Sequence, residues 1–248
     1  MSNEKKVSPY VDIAPFADQQ ANAASIRRMA EVALMTQEEL AALKIIYPGM
    51  QQRDILKSFR ELRTHLMQKS GGNNFVMLVT SINVDGGSSF TAINAAASFA
   101  LDEEKTAVYV DCNFENSFAN KLLKNNVDYG LIDYIDDPSL DLKDVIYAAG
   151  IPRVRVIPPG RGGETAMEKL ASPRMQKLID DLKSRYPDRF IVLDVPPVAE
   201  SSLARILSHA ADMAVLVVPF GKVTPTQVMS GIDAVGEEKF AGLVFNHI

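Results

Sequence analysis

The chain carries a single cysteine, Cys112, in 248 residues, which excludes an intramolecular disulfide and a cysteine-built zinc site. Blocks of basic residues are missing too. Lys and Arg number 26 against 31 Asp and Glu, the formal net charge is −5 and the pI about 5.3, so the electrostatic footprint of a nucleic-acid-binding protein is absent. The longest apolar runs, such as Met213 to Pro219, are far too short to span a bilayer. Membrane association is therefore expected through a partner and not by direct insertion. The N-terminal MSNEKKVSPYVD has no apolar signal core, which points to the cytoplasm. His65, His209 and His247 show no metal-ligand spacing. What is abundant is apolar residues, 47% of the chain, in a length able to bury one sizeable α/β core.

Residues 1–24 are polar and irregular and read as a flexible tail. A helical extension is expected over 25–72, with helices at 25–35, 36–46 and 54–68. Thr36 and Glu39 form a capping box at the start of the second, and Pro48-Gly49 is expected to end it. Ile55, Leu56, Phe59, Leu62 and Leu66 make the apolar stripe of the third, and residues 70–74 hinge into the core. From 73 to 248 short apolar runs alternate with helical stretches, the pattern of βαβ units around a parallel sheet. Strands are expected at 75–81, 106–111, 153–157, 189–194, 213–219 and 241–245.

The first of these strands leads into Ile82-Asn83-Val84-Asp85-Gly86-Gly87-Ser88-Ser89, and an Ala/Asn-rich helical stretch follows from Phe90 to Leu101. Strand, loop and helix sit where a P-loop places them. The pattern G-x-x-x-x-G-K-[S/T] finds its second glycine in Gly87 and its magnesium-binding hydroxyl in Ser89. Ile82 stands at the first glycine and Ser88 at the lysine. The lysine's charge-assisted contact to phosphate contributes roughly 1.5–3 kcal/mol, and a short neutral serine cannot replace it. A fixed carboxylate at Asp85 is expected either to repel an incoming anion or to occupy its place and plug the loop. The plainer alternative for Gly86-Gly87-Ser88-Ser89 is a flexible turn with a serine N-cap.

Two strand ends carry aspartates: Thr106-Ala107-Val108-Tyr109-Val110-Asp111, and Phe190-Ile191-Val192-Leu193-Asp194 followed by Val195-Pro196-Pro197. Ligands bind outside the carboxyl ends of an open α/β sheet, so both lie beside the loop. Ser89, Asp111 and Asp194 form a candidate oxygen shell for Mg²⁺; alternatively each aspartate merely caps the next turn. Arg153, Arg155 and Arg161 bracket Val156-Ile157-Pro158-Pro159-Gly160 and are candidates to stand in for the lysine, or else solvated surface charge.

Several segments together resemble the cytoplasmic domain of bacterial tyrosine kinases of the CpsD/CapB type, which act in capsule and exopolysaccharide synthesis and are related to the MinD/ParA P-loop ATPases. They are Ser58-Phe59-Arg60-Glu61-Leu62-Arg63-Thr64, Val79-Thr80-Ser81, Val110-Asp111, Ala171-Ser172-Pro173-Arg174-Met175, Arg185-Tyr186-Pro187-Asp188-Arg189, Leu193-Asp194-Val195-Pro196-Pro197-Val198 and Gly242-Leu243-Val244-Phe245-Asn246. The resemblance covers roughly residues 36 to 248. It implies a three-layer α/β/α P-loop NTPase-like fold with a mostly parallel central sheet and an N-terminal helical extension. It also implies Mg-ATP as cofactor, a C-terminal tyrosine cluster as phosphate acceptor in a neighbouring subunit, and a membrane polysaccharide co-polymerase, or chain-length regulator, as partner.

The chain departs from that pattern at Ser88, at Asp85 in place of a loop glycine, and at Asn113, the second acid of the D-x-D motif that begins with Asp111. Lys57 replaces the glutamate of the E-x-x-R-x-x-R ring-assembly motif, while Arg60 and Arg63 remain. The sequence ends at Ile248 without a tyrosine cluster; its seven tyrosines are scattered. The resulting expectation is a pseudokinase that regulates or scaffolds exopolysaccharide synthesis and export. It would be cytoplasmic, or peripheral at the inner membrane through its partner, with homo-oligomerisation open. No cofactor is expected unless Mg-ATP binding is retained. Gly86, Gly87, Ser88, Ser89 and Asn246 form a vestigial nucleotide site, Asn246 being either an adenine contact or a strand cap, and only Asp111 and Asp194 are catalytic candidates. The alternative is an active Mg-ATP-dependent kinase or ATPase with an unorthodox loop. A MinD/ParA-type positioning ATPase fits less well, because no lysine lies between Phe75 and Leu101.

Overall fold

The computed structural model describes Ile26, Met29 and residues 34–123, 127–161, 166–185 and 188–247. The expected tail and most of the first expected helix lie outside these residues. Seven strands form one sheet: β1 (Val76–Ser81), β2 (Thr106–Asp111), β3 (Tyr147–Ala148), β4 (Val154–Ile157), β5 (Arg189–Asp194), β6 (Met213–Pro219) and β7 (Phe240–Asn246). Their order is β3-β4-β2-β5-β1-β6-β7, and every neighbouring pair is parallel except β3 with β4. The six expected strands are present with ends within one residue. The unexpected β3 is too short for periodicity to reveal.

Around the sheet lie α1 (Gln37–Ala42), α2 (Arg53–Lys69), α3 (Ser88–Phe99), α4 (Ala119–Leu122), α5 (Leu131–Asp136), α6 (Ala166–Lys169), α7 (Pro173–Arg185), α8 (Leu203–Ser208) and α9 (Pro225–Val235). Strands β1, β2, β4, β5 and β6 are buried at every residue. That is why they read as near-continuous apolar runs, interrupted inside β4 by Arg155: both faces of the sheet are covered. Successive side chains of β1 enter opposite cores, Met77 and Val79 packing with α2 and α3, Val76 and Leu78 with α7 and α8. The result is a three-layer α/β/α fold.

Helix α3 lies between the sheet and α2, and most of its residues are buried. Ala92, Ala95 and Ala96 let it approach the strands closely. Asn94 then joins it to the preceding segment, its Oδ1 accepting the Ile46 N–H at 2.7 Å and its Nδ2 donating to the Lys44 carbonyl at 3.1 Å. Arg63 of α2 donates to the Ser98 carbonyl at 2.9 Å, and the Phe59 and Phe90 rings meet edge to face with centroids 5.9 Å apart.

The capping box forms as expected: the Glu39 N–H donates to Thr36 Oγ1 at 3.2 Å and the Thr36 N–H to Glu39 Oε2 at 2.7 Å. The helix it opens, however, stops at Ala42 and not at Pro48. Lys44 takes a left-handed conformation with φ 56°, and the chain leaves the helix so that Ile45 and Ile46 are buried against α3. Tertiary burial overrides the local helical pattern there.

Candidate functional site: a phosphate loop above two buried carboxylates

β1 delivers the chain to the loop at residues 82–87, and α3 leaves from it. Gly87 has φ 87° and ψ 27°, a left-handed conformation suited to glycine. At Gly86 a Cβ would lie 2.5 Å from the Ser81 Cβ, so no other residue fits without displacing β1. The Ser81 hydroxyl and the Gly86 N–H both donate to the Asn83 carbonyl, at 2.8 and 3.2 Å, closing the turn. Asn246, at the end of β7, donates from Nδ2 to the Gly86 carbonyl at 3.1 Å and ties the loop to the sheet. No side chain caps the first turn of α3, so its leading N–H groups keep the dipole and donors that suit an anion.

The charge that should accompany that cradle is missing. Ser88 is buried and neutral. Asp85 does not plug the loop: it is exposed, at φ 54°, and its carboxylate makes no hydrogen bond or ion pair among the described residues. The expected occlusion is thus replaced by an exposed negative charge beside the cradle. The candidate substitute cations lie elsewhere. Arg153 donates from Nε and Nη2 to the Ala100 carbonyl at 3.2 and 2.7 Å. Arg155 is buried in β4, two strands removed from β1, and Arg161 is exposed beside Asp133.

Below the loop, β2 and β5 pair in parallel with Asp111 opposite Asp194, while Val79 of β1 stands opposite Asp194 on its other side. The strand order therefore sets the two carboxylates side by side. Asp194 is fully buried; the Tyr109 hydroxyl donates to its Oδ2 at 2.5 Å, and its Oδ1 has no hydrogen-bond partner. Burial, and then the neighbouring Asp111, push its pKa up to about 8, although Ser89 and Tyr109 pull it down. Burial thus favours the protonated form of Asp194. Burial also raises Asp111, to about 6, against the backbone N–H groups that favour its charge. Burial raises the Tyr109 phenol and the Cys112 thiol well above their ordinary values, with the two carboxylates adding to the shift.

Asp111 and Asp194 do different work. Asp111 Oδ1 accepts the Asn113 N–H at 2.9 Å, and Oδ2 accepts the Ser117 hydroxyl and the Ala119 N–H, both at 2.8 Å. It thus holds the 112–119 loop and the start of α4, the capping alternative. Asn113 is part of the same turn, its Oδ1 accepting the Asn116 N–H at 3.2 Å. The orphaned Asp194 Oδ1 and the nearby Ser89 fit a hard cation; no cluster of three or more His, Cys, Asp or Glu able to hold a metal occurs among the described residues. Near the loop the structure thus places one buried, unpartnered carboxylate oxygen and a hydroxyl, with no cation beside the cradle among the candidates considered. Sequence reasoning left Tyr109 among the scattered tyrosines. The signal was its spacing, since Tyr109 and Asp111 share a face of β2.

No family model matches the chain. The tyrosine-protein kinase CpsD of Streptococcus agalactiae serotype III is 28% identical over 193 residues, covering 77% of this chain and 81% of that protein. The putative tyrosine-protein kinase EpsB of Ralstonia solanacearum is 27% identical over 195 residues, 77% of this chain but 25% of that protein. Among solved structures, the kinase domain of the Escherichia coli tyrosine kinase ETK superposes with a TM-score of 0.71 at 22% identity, covering 78% of this chain and 75% of that one. A ParA family ATPase from Chlorobium tepidum follows at 0.54 and 17%, with 70% and 74% covered. The chain's homologues are thus bacterial tyrosine-protein kinases, and its three-layer, mostly parallel architecture is the P-loop fold shared with the ParA ATPases.

Proposed function

We propose that this chain is a catalytically impaired, tyrosine-kinase-like protein. In this reading it regulates or scaffolds capsule or exopolysaccharide synthesis and export through a membrane co-polymerase partner. The observation that carries the impairment is the loop. Phosphoryl transfer is mostly positioning plus electrostatic stabilisation of phosphate oxygens, and here a buried serine replaces the cation while an exposed aspartate stands beside the cradle. Among the described residues no arginine considered as a substitute reaches the loop. The site is cytoplasmic in this reading, peripheral to the membrane through the partner; among the described residues no helix is long and apolar enough to cross a bilayer.

The residues still present define what a nucleotide would meet. Gly86 and Gly87 shape the turn, the first-turn N–H groups of α3 face the phosphates, Asp194 and Ser89 are the groups to hold Mg²⁺, and Asn246 steadies the loop. Bound Mg-ATP would supply the transferable phosphoryl group. Asp111 would have to release one of its three donors to reach the metal.

A second reading, an active Mg-ATP-dependent kinase or ATPase, is favoured by one observation: the unpartnered buried oxygen of Asp194. Complementation separates the two. Deleting the gene should impair exopolysaccharide output, and Asp194→Asn should restore it if the protein is a scaffold. Failure of a folded Asp194→Asn protein to complement would transfer the function to the enzyme reading. Asp194→Asn is the better probe, because Asp111→Ala would also undo the 112–119 loop. Calorimetry with ATP and Mg²⁺ tests the impairment directly, a submillimolar Kd being the result that overturns it.

A further inference from the structure

A cleft of about 910 Å³ opens beside the phosphate loop, between the α1–α2 connection, the start of α3 and the end of β7. Among the described residues it meets the loop at Gly87, beside Asn246 of β7; the rest of its wall is largely apolar, including Ile55, Phe59, Leu62, Phe90 and Phe245. Ile55 is 40% and Phe245 63% exposed, an unusual outlay of apolar surface at one place. Its charge is one-sided: Lys44 and Lys121 line it and, among the described residues, no acidic residue does. Neither lysine has a carboxylate partner among the described residues, Lys121 resting 5.1 Å over the Phe118 ring. Thr91, 1% exposed, also lines the cleft, and its hydroxyl is buried without a hydrogen-bond partner.

These features argue for one kind of occupant. The volume lies in the range of small-molecule sites, roughly 300–1,000 Å³, which are mostly apolar with a few placed polar groups. A buried hydroxyl with no partner costs free energy until something bonds to it. Two lysines without counter-charge favour an anion. Asp85, exposed beside the cradle, disfavours a polyphosphate at the loop itself but lies outside the cleft lining. We infer that this cleft binds an amphipathic anion, an extended apolar body seated along α2 and β7 with a single phosphate or carboxylate head held by Lys44 and Lys121. The site does not depend on the pseudokinase reading and would stand if the loop proved active.

Dodecyl phosphate, titrated below its micellar concentration into the full chain and followed by calorimetry, tests the inference. Saturable binding is expected, with dodecanol at least about tenfold weaker because the head contributes a charge-assisted bond. Inorganic phosphate alone should not saturate. The double variant Lys44→Gln, Lys121→Gln should lose about tenfold with unchanged thermal melting, and Thr91→Val about threefold with melting unchanged or raised. Ser58→Trp, at an exposed position of α2 that lines the cleft, should block binding without touching the core. Equal affinity for dodecanol, binding of inorganic phosphate as tight as that of the amphiphile, or folded variants that bind like the parent would each overturn the proposal. So would displacement by ATP that depends on the same two lysines, which makes the cleft a nucleotide site. Binding to phosphatidic acid vesicles without binding of the monomeric amphiphile would overturn it in favour of a membrane-surface contact.

Discussion

The loop at residues 82–89 and the strand ends at Asp111 and Asp194 lie next to each other, yet they have fared differently. The loop keeps its backbone: the left-handed Gly87, the Gly86 that tolerates no Cβ, and an uncapped helix N-terminus. Its charge pattern is reversed by Ser88 and Asp85. The strand ends keep their carboxylates, fully buried and side by side. Main-chain geometry and buried packing also hold the fold together, which a solvent-facing charge does not. Asp111 illustrates this, since it organises the 112–119 loop whether or not any metal arrives.

The largest test of that contrast is Asp111→Ala. One buried and one half-buried backbone N–H group and a half-buried hydroxyl lose their acceptor, so urea unfolding should show a loss of about 3 kcal/mol. A neutral result would mean that Asp111 is retained for a ligand and not for the fold. The next effect is pH-dependent. The folded-state pKa values of Asp194 and Asp111 are raised, so the native state binds more protons than the unfolded chain. Stability should therefore fall as pH rises towards about 8, with a slope of up to about 1.4 kcal/mol per pH unit for each acid still titrating. Melting curves between pH 6 and pH 8 would read this, and Asp194→Asn should flatten it. If the parent's stability is level over that range, the carboxylate pair is less strained than its burial indicates.

A smaller effect sharpens the comparison from the loop side. Ser88→Lys combined with Asp85→Gly should restore Mg-ATP binding that calorimetry can detect, a gain of at least about tenfold, since one charge-assisted contact is worth roughly 1.5–3 kcal/mol. A folded double variant as inert as its parent would place the fault at the strand ends. Smallest, Asn246→Ala removes only the bond to the Gly86 carbonyl, and should cost about 1 kcal/mol with faster amide exchange confined to the loop. A global loss of protection would mean that Asn246 supports β7 more than the loop.

Much of this architecture was legible in advance. Six strands were readable because each is a short, mostly apolar run, and the helix over Arg53–Lys69 because its stripe recurs at helical spacing. The early end of α1 was not, since the decisive groups, Asn94 and the α3 surface, lie some fifty positions away in the chain. Asn246 showed at sequence level only as a polar residue closing a strand, and its bond to the Gly86 carbonyl joins opposite ends of the domain.

The sequence by itself determined the alternation of strands and helices, the phosphate-loop spacing with its missing lysine, and the aspartates at two strand ends, because these are local patterns of residue type. Tertiary structure alone decided that Asp85 faces solvent and that Asp111 is consumed by its own loop. It also decided that the Tyr109 hydroxyl donates to Asp194, and that an apolar, lysine-bearing cleft opens beside the loop. Each of these depends on which strand lies beside which. Burial next to a second carboxylate, a relation between residues far apart in the chain, is what raises the pKa of an ordinary aspartate.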